Sequence, residues 1–270
     1  MQDIKPAATL ILLRDNSRGI EVLMAKRSTR AYWGSIYVFP GGKLDESDRS
    51  SEIYKFSNNL DDLEASARLD LKENGLAFWI ACIRECFEEV GIIISDEINN
   101  NFSSKANINQ LRNKLNAGSI TFLEVCNKLG IKLATDSIIP IAHWITPTIE
   151  SRRFDTWFFL VKSPTNQIQN HDGLELTESI WITPNIALEE YHKGKINLIM
   201  PTIKTLEMLT SFSSTDEAYN YFLSKQQEPI ETILPKFVKK NGKLIGLLPD
   251  DKEYDSAIGL LPGDIKNDSI

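Results

Sequence analysis

The chain has 270 residues, 42% of them apolar and 25% charged, enough for a sizeable core in one large domain or two small ones. Its net charge of −7 carries no long basic block, which argues against binding a nucleic-acid backbone. No apolar run reaches membrane-spanning length and no basic-then-apolar leader opens the chain, so a cytoplasmic protein without a membrane partner is expected. The three cysteines, Cys82, Cys86 and Cys126, are an odd number for a disulfide framework and read as small packing residues in a reducing compartment. His143, His171 and His192 stand apart, with no zinc-ligand spacing.

Ala7 to Leu13 reads as a buried strand, and Ile20 to Ala25 as its partner in a hairpin with a wider loop. Ile36 to Phe39 leads into Pro40-Gly41-Gly42, where glycines permit a tight turn and close approach to a ligand. Residues 45–75 are polar and charged, and read as a partly helical insertion. Leu76 to Val90 carries helical apolar spacing at Phe78, Trp79, Cys82, Ile83, Cys86, Phe87 and Val90. A polar stretch at 99–106 precedes two helices between about 108 and 129. Strands are expected at 138–146, 154–161 and 179–182, with helices at 184–192 and 201–212. From residue 230 turns alternate with short apolar pieces. Strands and helices intermix without a regular β-α-β rhythm, so the class is α+β.

The opposite face of the 76–90 helix is where chemistry concentrates. Glu85, Glu88 and Glu89 fall at i, i+3 and i+4, so three carboxylates share one narrow face. Each like-charged pair costs roughly 0.2–0.5 kcal/mol, and the stripe lies just before Gly91, at the end where the helix dipole disfavours negative charge. A cation offsets both penalties, and hard oxygen ligands suit Mg²⁺ or Mn²⁺.

Arg84-Glu85-Cys86-Phe87-Glu88-Glu89-Val90-Gly91-Ile92, with Gly42 upstream, resembles the Nudix box, the signature of enzymes that hydrolyse nucleoside diphosphates linked to another moiety. The family places fourteen positions between the opening glycine and the arginine; here there are 42, so 28 residues are inserted. Counting back from Arg84 puts Leu76 where the first box glutamate belongs, with Glu73 as a nearby substitute. Val38 to Asp45, Arg152 to Phe159, Trp181 to Pro184 and Ala187-Leu188 further resemble the motif 19 branch of that superfamily, which is coenzyme A diphosphatase-like. The resemblance implies an α/β/α sandwich around a mixed sheet: a single Nudix domain over residues 1–229, an insertion at about 45–75, extra helices at about 99–130, and a C-terminal extension over 230–270 packing on the core or on a partner subunit. It also allows a homodimer.

By position, Glu85 and Glu89 would bind the metal with Glu88 in or beside its shell. Arg84 would orient a box carboxylate, and Gly41 and Gly42 would shape the substrate loop. For the general base the candidates are Glu88, Glu175 and Glu178, the last two in a loop before the strand at Trp181. Arg153 is either a bidentate phosphate ligand or part of a turn closed by ion pairing with Asp155. Tyr32, Trp33 and Tyr37 either pack or stack on a base. The upstream signature of another coenzyme A-hydrolysing branch is not met: Arg27-Ser28-Thr29 fits loosely, but Trp33 and Ser35 stand where it has Arg and Gly. The expected activity is hydrolysis of a diphosphate linkage in a small nucleotide, coenzyme A or an acyl-coenzyme A first, with ADP-ribose, NADH and dinucleoside polyphosphates as alternatives. The missing box glutamate leaves a non-catalytic nucleotide sensor as the competing class.

Overall fold

The computed structural model describes residues 3–96, 105–173 and 175–264. Most of the polar stretch expected at 99–106 lies outside them. The central strand is β1 (Ile4–Asn16), flanked by β2 (Gly19–Arg27) and β6 (Arg153–Lys162). The main sheet runs β3 (Tyr37–Val38), β2, β1, β6, β5 (Ile139–Ile145), β8 (Thr232–Ile233), while β4 (Gly41–Lys43) also pairs with β1 and β7 (Leu176–Ile182) with β2. β1–β6 and β5–β8 are parallel and the other pairings antiparallel, so the sheet is mixed.

Alternation along β1 feeds two cores. Ala8, Leu10 and Leu12 point to one face with Trp157 and Phe159 of β6; Ile11 and Leu13 point to the other with Phe158 and Leu160. Both faces are covered, so β1 and β6 read as nearly continuous apolar runs. The first face holds α3 (Leu76–Val90), with α2 (Asp62–Arg68), α4 (Lys105–Asn116) and α5 (Phe122–Leu129) around it. The second holds α6 (Pro184–His192), α7 (Met200–Leu209) and α8 (Thr215–Ser224). The result is an α/β/α sandwich of the α+β class.

The helix α3 spans the residues its periodicity predicts, and only Glu85 and Glu88 among its fifteen residues escape full burial. Trp79 fixes it to the sheet, its ring tilted against Phe159 at 4.7 Å while its indole N–H donates to the Ile138 carbonyl at 3.0 Å. Gly91 ends it in the left-handed region (φ +73°), where a side chain would also crowd Arg112. Cys82, Cys86 and Cys126 are buried thiols without disulfides, and burial pushes the Cys126 thiol up to about 12.

Some expectations change. The β1–β2 hairpin is tight, with only Ser17 and Arg18 between the paired Asn16 and Gly19. β7 starts at Leu176, earlier than the sequence suggests, so Glu178 lies in a strand and not in a loop. Helix α8 was missed because its apolar positions are few; the Ser214-x-x-Glu217 cap was the signal, with the Ser214 hydroxyl accepting from Glu217 N–H. Among the described residues, no helix is long and apolar enough to cross a membrane. Removing a fully buried ring from the sheet, Phe159→Ala, is expected to cost about 3–5 kcal/mol in urea unfolding.

Candidate functional site

The strand β4 crosses β1 so that the Gly41-Gly42 backbone lies against the acidic face of α3. Glu89, 4% exposed, accepts the Gly41 N–H at 2.9 Å. A Cβ on Gly42 would stand 2.4 Å from the Glu85 carboxylate, and one on Gly41 (φ +157°) would meet the Ala8 carbonyl at the same distance. Gly41 is therefore required by close approach to the backbone of β1, whereas a side chain at Gly42 would displace the Glu85 carboxylate.

The Arg84 guanidinium sits beneath this junction, 4% exposed. It grips Asp48 with two parallel bonds of 2.9 Å, from Nε to Oδ1 and from Nη2 to Oδ2. Nη2 also donates to the Lys43 carbonyl, and Nη1 to Glu85 (3.0 Å) and Glu88 (3.1 Å). Burial alone would lower its pKa, but the Asp48 bond and the surrounding carboxylates hold it well above the usual arginine value. Counted forward from Gly42, Asp48 follows five intervening residues, which is the position of the first box acid. The insertion thus falls between Asp48 and Arg84. Leu76 is core, and Glu73 is exposed away from the site. Counting back from the arginine concealed Asp48; counting forward from the glycine finds it.

The three glutamates differ in their surroundings. Glu85 is raised to about 7, chiefly by burial, against the opposing pull of Arg84. Burial is also the leading cause for Glu88, raised above its usual value, and for Glu89, raised well above it. The Glu85 charge lifts Glu89 further, while the Gly41 N–H pulls it down. The carbonyls at the end of α3 are all used: Glu88 O accepts from Arg112 Nε (2.9 Å) and Asn116 Nδ2 (3.1 Å), Glu89 O from Asp172 N–H (3.0 Å), and Val90 O from Asn170 N–H (2.8 Å). Arg112, itself 4% exposed, places a cation where the helix dipole is negative. Sequence reading missed it, as it lies in the polar α4.

Above these groups opens a cavity of about 1020 Å³, lined at this end by Gly41, Gly42, Arg84, Glu85, Glu88, Glu89, Asp172 and Glu175. Arg27, at the end of β2, also lines it, and its buried Nε has no hydrogen-bond partner. Its signals in sequence were a basic residue closing an apolar strand and the loose fit of Arg27-Ser28-Thr29 to the upstream signature of another branch. Trp33 lines the cavity, with Phe154 at 6.2 Å, whereas Tyr37 is buried with its hydroxyl on Glu178. Glu178 is accordingly not part of the cavity. Neither is Arg153, whose Nε donates to the Thr146 carbonyl at 2.8 Å. The turn is not closed by an Arg153–Asp155 pair either, since Asp155 bonds His143 and Arg152 lies 4.9 Å over the Tyr32 ring.

The sequence model of the NUDT19 Nudix domain matches residues 64–209, more than half of the chain. The chain belongs to the NUDT19 Nudix family. Its similarity to the acyl-coenzyme A diphosphatase NUDT19 of Xenopus laevis is 27% identity, covering 93% of this chain and 76% of that protein. The Gallus gallus protein of the same name is 26% identical, covering 87% and 72%. A Nudix hydrolase of Alicyclobacillus acidocaldarius shares the fold, with a TM-score of 0.67 and 24% identity over 82% of this chain and 97% of that one. The chain is thus a Nudix hydrolase by family. The matched segment includes α3 but neither Gly41-Gly42 nor Asp48, which the structure brings to it.

Nudix hydrolases generally use divalent metal ions. Among the described residues no three Asp, Glu, His or Cys side chains stand at metal-holding spacing, so the expected trio is not assembled. Arg84 Nη1 holds both Glu85 and Glu88, and of the three glutamates Glu85 and Glu89 are the two that meet the glycine turn. Two buried carboxylates with raised pKa values fit a divalent cation, which needs only one or two of them when water and substrate phosphates complete its shell.

Without metal this arrangement is a liability. A carboxyl raised in the folded state binds more protons than the unfolded chain does between its ordinary value of 4.5 and about 7. Stability of the metal-free protein should therefore fall as pH rises through that window. Thermal unfolding in chelator across pH 4.5–7 is the check, with Glu89→Gln and Glu85→Gln expected to flatten the fall and raise Tm. Asp48→Ala should cost about 3–5 kcal/mol in urea unfolding, because it leaves the Arg84 charge buried without its strongest partner.

Proposed function

We propose that this protein is a divalent-metal-dependent diphosphatase that cleaves the diphosphate bridge of coenzyme A or an acyl-coenzyme A. The observation that carries the reading is the meeting of Glu85 and Glu89 with the Gly41-Gly42 turn at one end of a single large cavity. The names of the Xenopus and Gallus relatives support the substrate class.

Glu85 and Glu89 would hold Mg²⁺ or Mn²⁺, with Glu88 beside them on Arg84. When bound, the cation supplies charge neutralisation at the non-bridging phosphate oxygens and lowers the pKa of a water. Arg84 fixes the direction of Glu85 and Glu88 and is itself fixed by Asp48. The glycine turn leaves room for a phosphate to approach the backbone, and Arg27 offers it a guanidinium. Glu175 is the general base of this reading: it lines the cavity, and its N–H is anchored by the Asp172 carboxylate, whose own N–H is tied to the end of α3. It takes a proton from the attacking water as oxygen adds to one phosphorus; the bond from that phosphorus to the bridging oxygen breaks, and the second phosphate leaves. From coenzyme A the products are adenosine 3′,5′-bisphosphate and phosphopantetheine. Asp48 supplies the acid whose apparent absence motivated the sensor reading, so the enzyme reading is the stronger.

The test is incubation with Mg²⁺ or Mn²⁺ and a panel of coenzyme A, octanoyl-coenzyme A, NADH, ADP-ribose and dinucleoside polyphosphates, with products identified by mass. Hydrolysis confined to the coenzyme A compounds is expected; preferred cleavage of another member reassigns the substrate, and binding without products restores the sensor. Glu89→Gln should lower kcat by at least about 100-fold with the fold intact. Arg27→Ala should weaken kcat/KM about 10–100-fold, the worth of a charge-assisted hydrogen bond.

A further inference from the structure

The cavity floor has a direction. Lys43 of β4 pairs with Ala7 of β1, Ala7 with Thr156 of β6, Thr156 with Trp144 of β5, and Trp144 with Ile233 of β8. Directly paired residues project to the same face, so Ala7, Thr156 and Trp144 form one row, and all three line the cavity. With strands about 4.8 Å apart, the row carries the floor roughly 14 Å from the glycine turn to Trp144.

The chemistry changes along that row. Carboxylates and guanidinium groups gather at the β4 end, whereas the β5 end is walled by Trp144, by Pro235 just beyond its partner Ile233, and by Met200 and Phe237 around Gly246. The charged pair that α7 adds, Lys204 and Glu207, is neutralised internally at 2.8 Å. Pro235 and Phe237 come from the C-terminal segment, beyond the residues that match the family domain. The segment is held from several sides: β8 pairs with β5, the Phe237 carbonyl accepts from Leu260 N–H at 2.9 Å, and the Leu260 carbonyl accepts from the Thr148 hydroxyl at 2.9 Å. β9 (Lys236–Lys240) pairs with β10 (Lys243–Leu247), where Gly246 opposes Phe237. A Cβ on Gly246 would stand 2.6 Å from Met200 Cε and 3.3 Å from the Phe237 ring, so the glycine lets these two side chains close together.

We infer that the C-terminal segment, through Phe237 and Pro235 with Met200 and Trp144, forms a subsite for an apolar tail on the substrate, and that this wall sets the preference for a fatty acyl derivative over the free thiol. The inference rests on the diphosphatase reading for its substrate, but concerns different residues. A diphosphate seated at the glycine turn leaves the remainder of an elongated molecule to run along the row toward Trp144. An apolar end gains there by leaving water against Trp144, Met200, Pro235 and Phe237.

The test measures kcat/KM for coenzyme A and octanoyl-coenzyme A, and the affinity of both for metal-free protein by calorimetry, in the wild type, Phe237→Ala and Met200→Trp, with thermal unfolding confirming that each variant is folded. The wild type should favour the octanoyl compound by about tenfold or more. Phe237→Ala should reduce that ratio about tenfold, and Met200→Trp, which fills the apolar end, should invert it in both measurements. Equal scaling of the two substrates, or ratios indifferent to both variants, overturns the wall and leaves the diphosphatase reading standing. If neither compound is hydrolysed, yet octanoyl-coenzyme A binds more tightly in a manner that depends on Phe237, the diphosphatase reading falls and the wall stands. Absence of both hydrolysis and selective binding overturns both.

Discussion

The structure of the site depends on one buried cation. Arg84 is enclosed by Asp48, the Lys43 carbonyl, Glu85 and Glu88, so a single planar group joins the acidic stripe of α3, the glycine turn of β4 and the start of the inserted segment. Burying a guanidinium costs several kcal/mol unless every face is satisfied, and here carboxylates and a carbonyl meet it on all sides. The same contacts divide the glutamates by role. Glu88 is engaged by Arg84 away from the turn, while Glu89 turns to the Gly41 N–H and Glu85 stands over Gly42. The stripe of like charges is thereby tolerated before any metal arrives, though at a cost recorded in the raised carboxyl pKa values.

Helix α3 was legible because local periodicity and burial agree along its length, with Glu85 and Glu88 the only residues of the helix left partly exposed. The strands of the sandwich were legible for the same reason. Contacts between distant segments were not. Nothing near Asp48 in the chain indicates that it will grip Arg84, and the 28 inserted residues hide its place in the box when the count starts from the wrong end. Arg112 and Asn116 in α4 cap α3 through backbone atoms, which leave no pattern in side-chain spacing. Glu178 and Arg153 lie outside the cavity lining for the complementary reason: a charged residue beside a motif has other partners to choose, here Tyr37 and the Thr146 carbonyl.

The cavity joins parts that sequence reading treated separately. Its polar end is made by the Nudix box, its floor by β1, β6 and β5, and its far wall by α7 and the C-terminal segment. The two ends of the cavity can therefore vary independently in this fold, since the residues of the polar end share no elements with those that form the apolar wall.

The pairing of β1 with β6 also constrains how the protein comes into being. Ile4 meets Arg153 and Leu13 meets Lys162, so β1 is synthesised well before the parallel partner it waits for. Until then β1 has its hairpin with β2 and its bridge to β4, and one long apolar edge open to water. Parallel pairings of this span carry a high loop-closure cost and form slowly. The nascent chain thus passes through an interval in which Leu10 to Leu13 form an unpaired edge of the kind that is prone to aggregate.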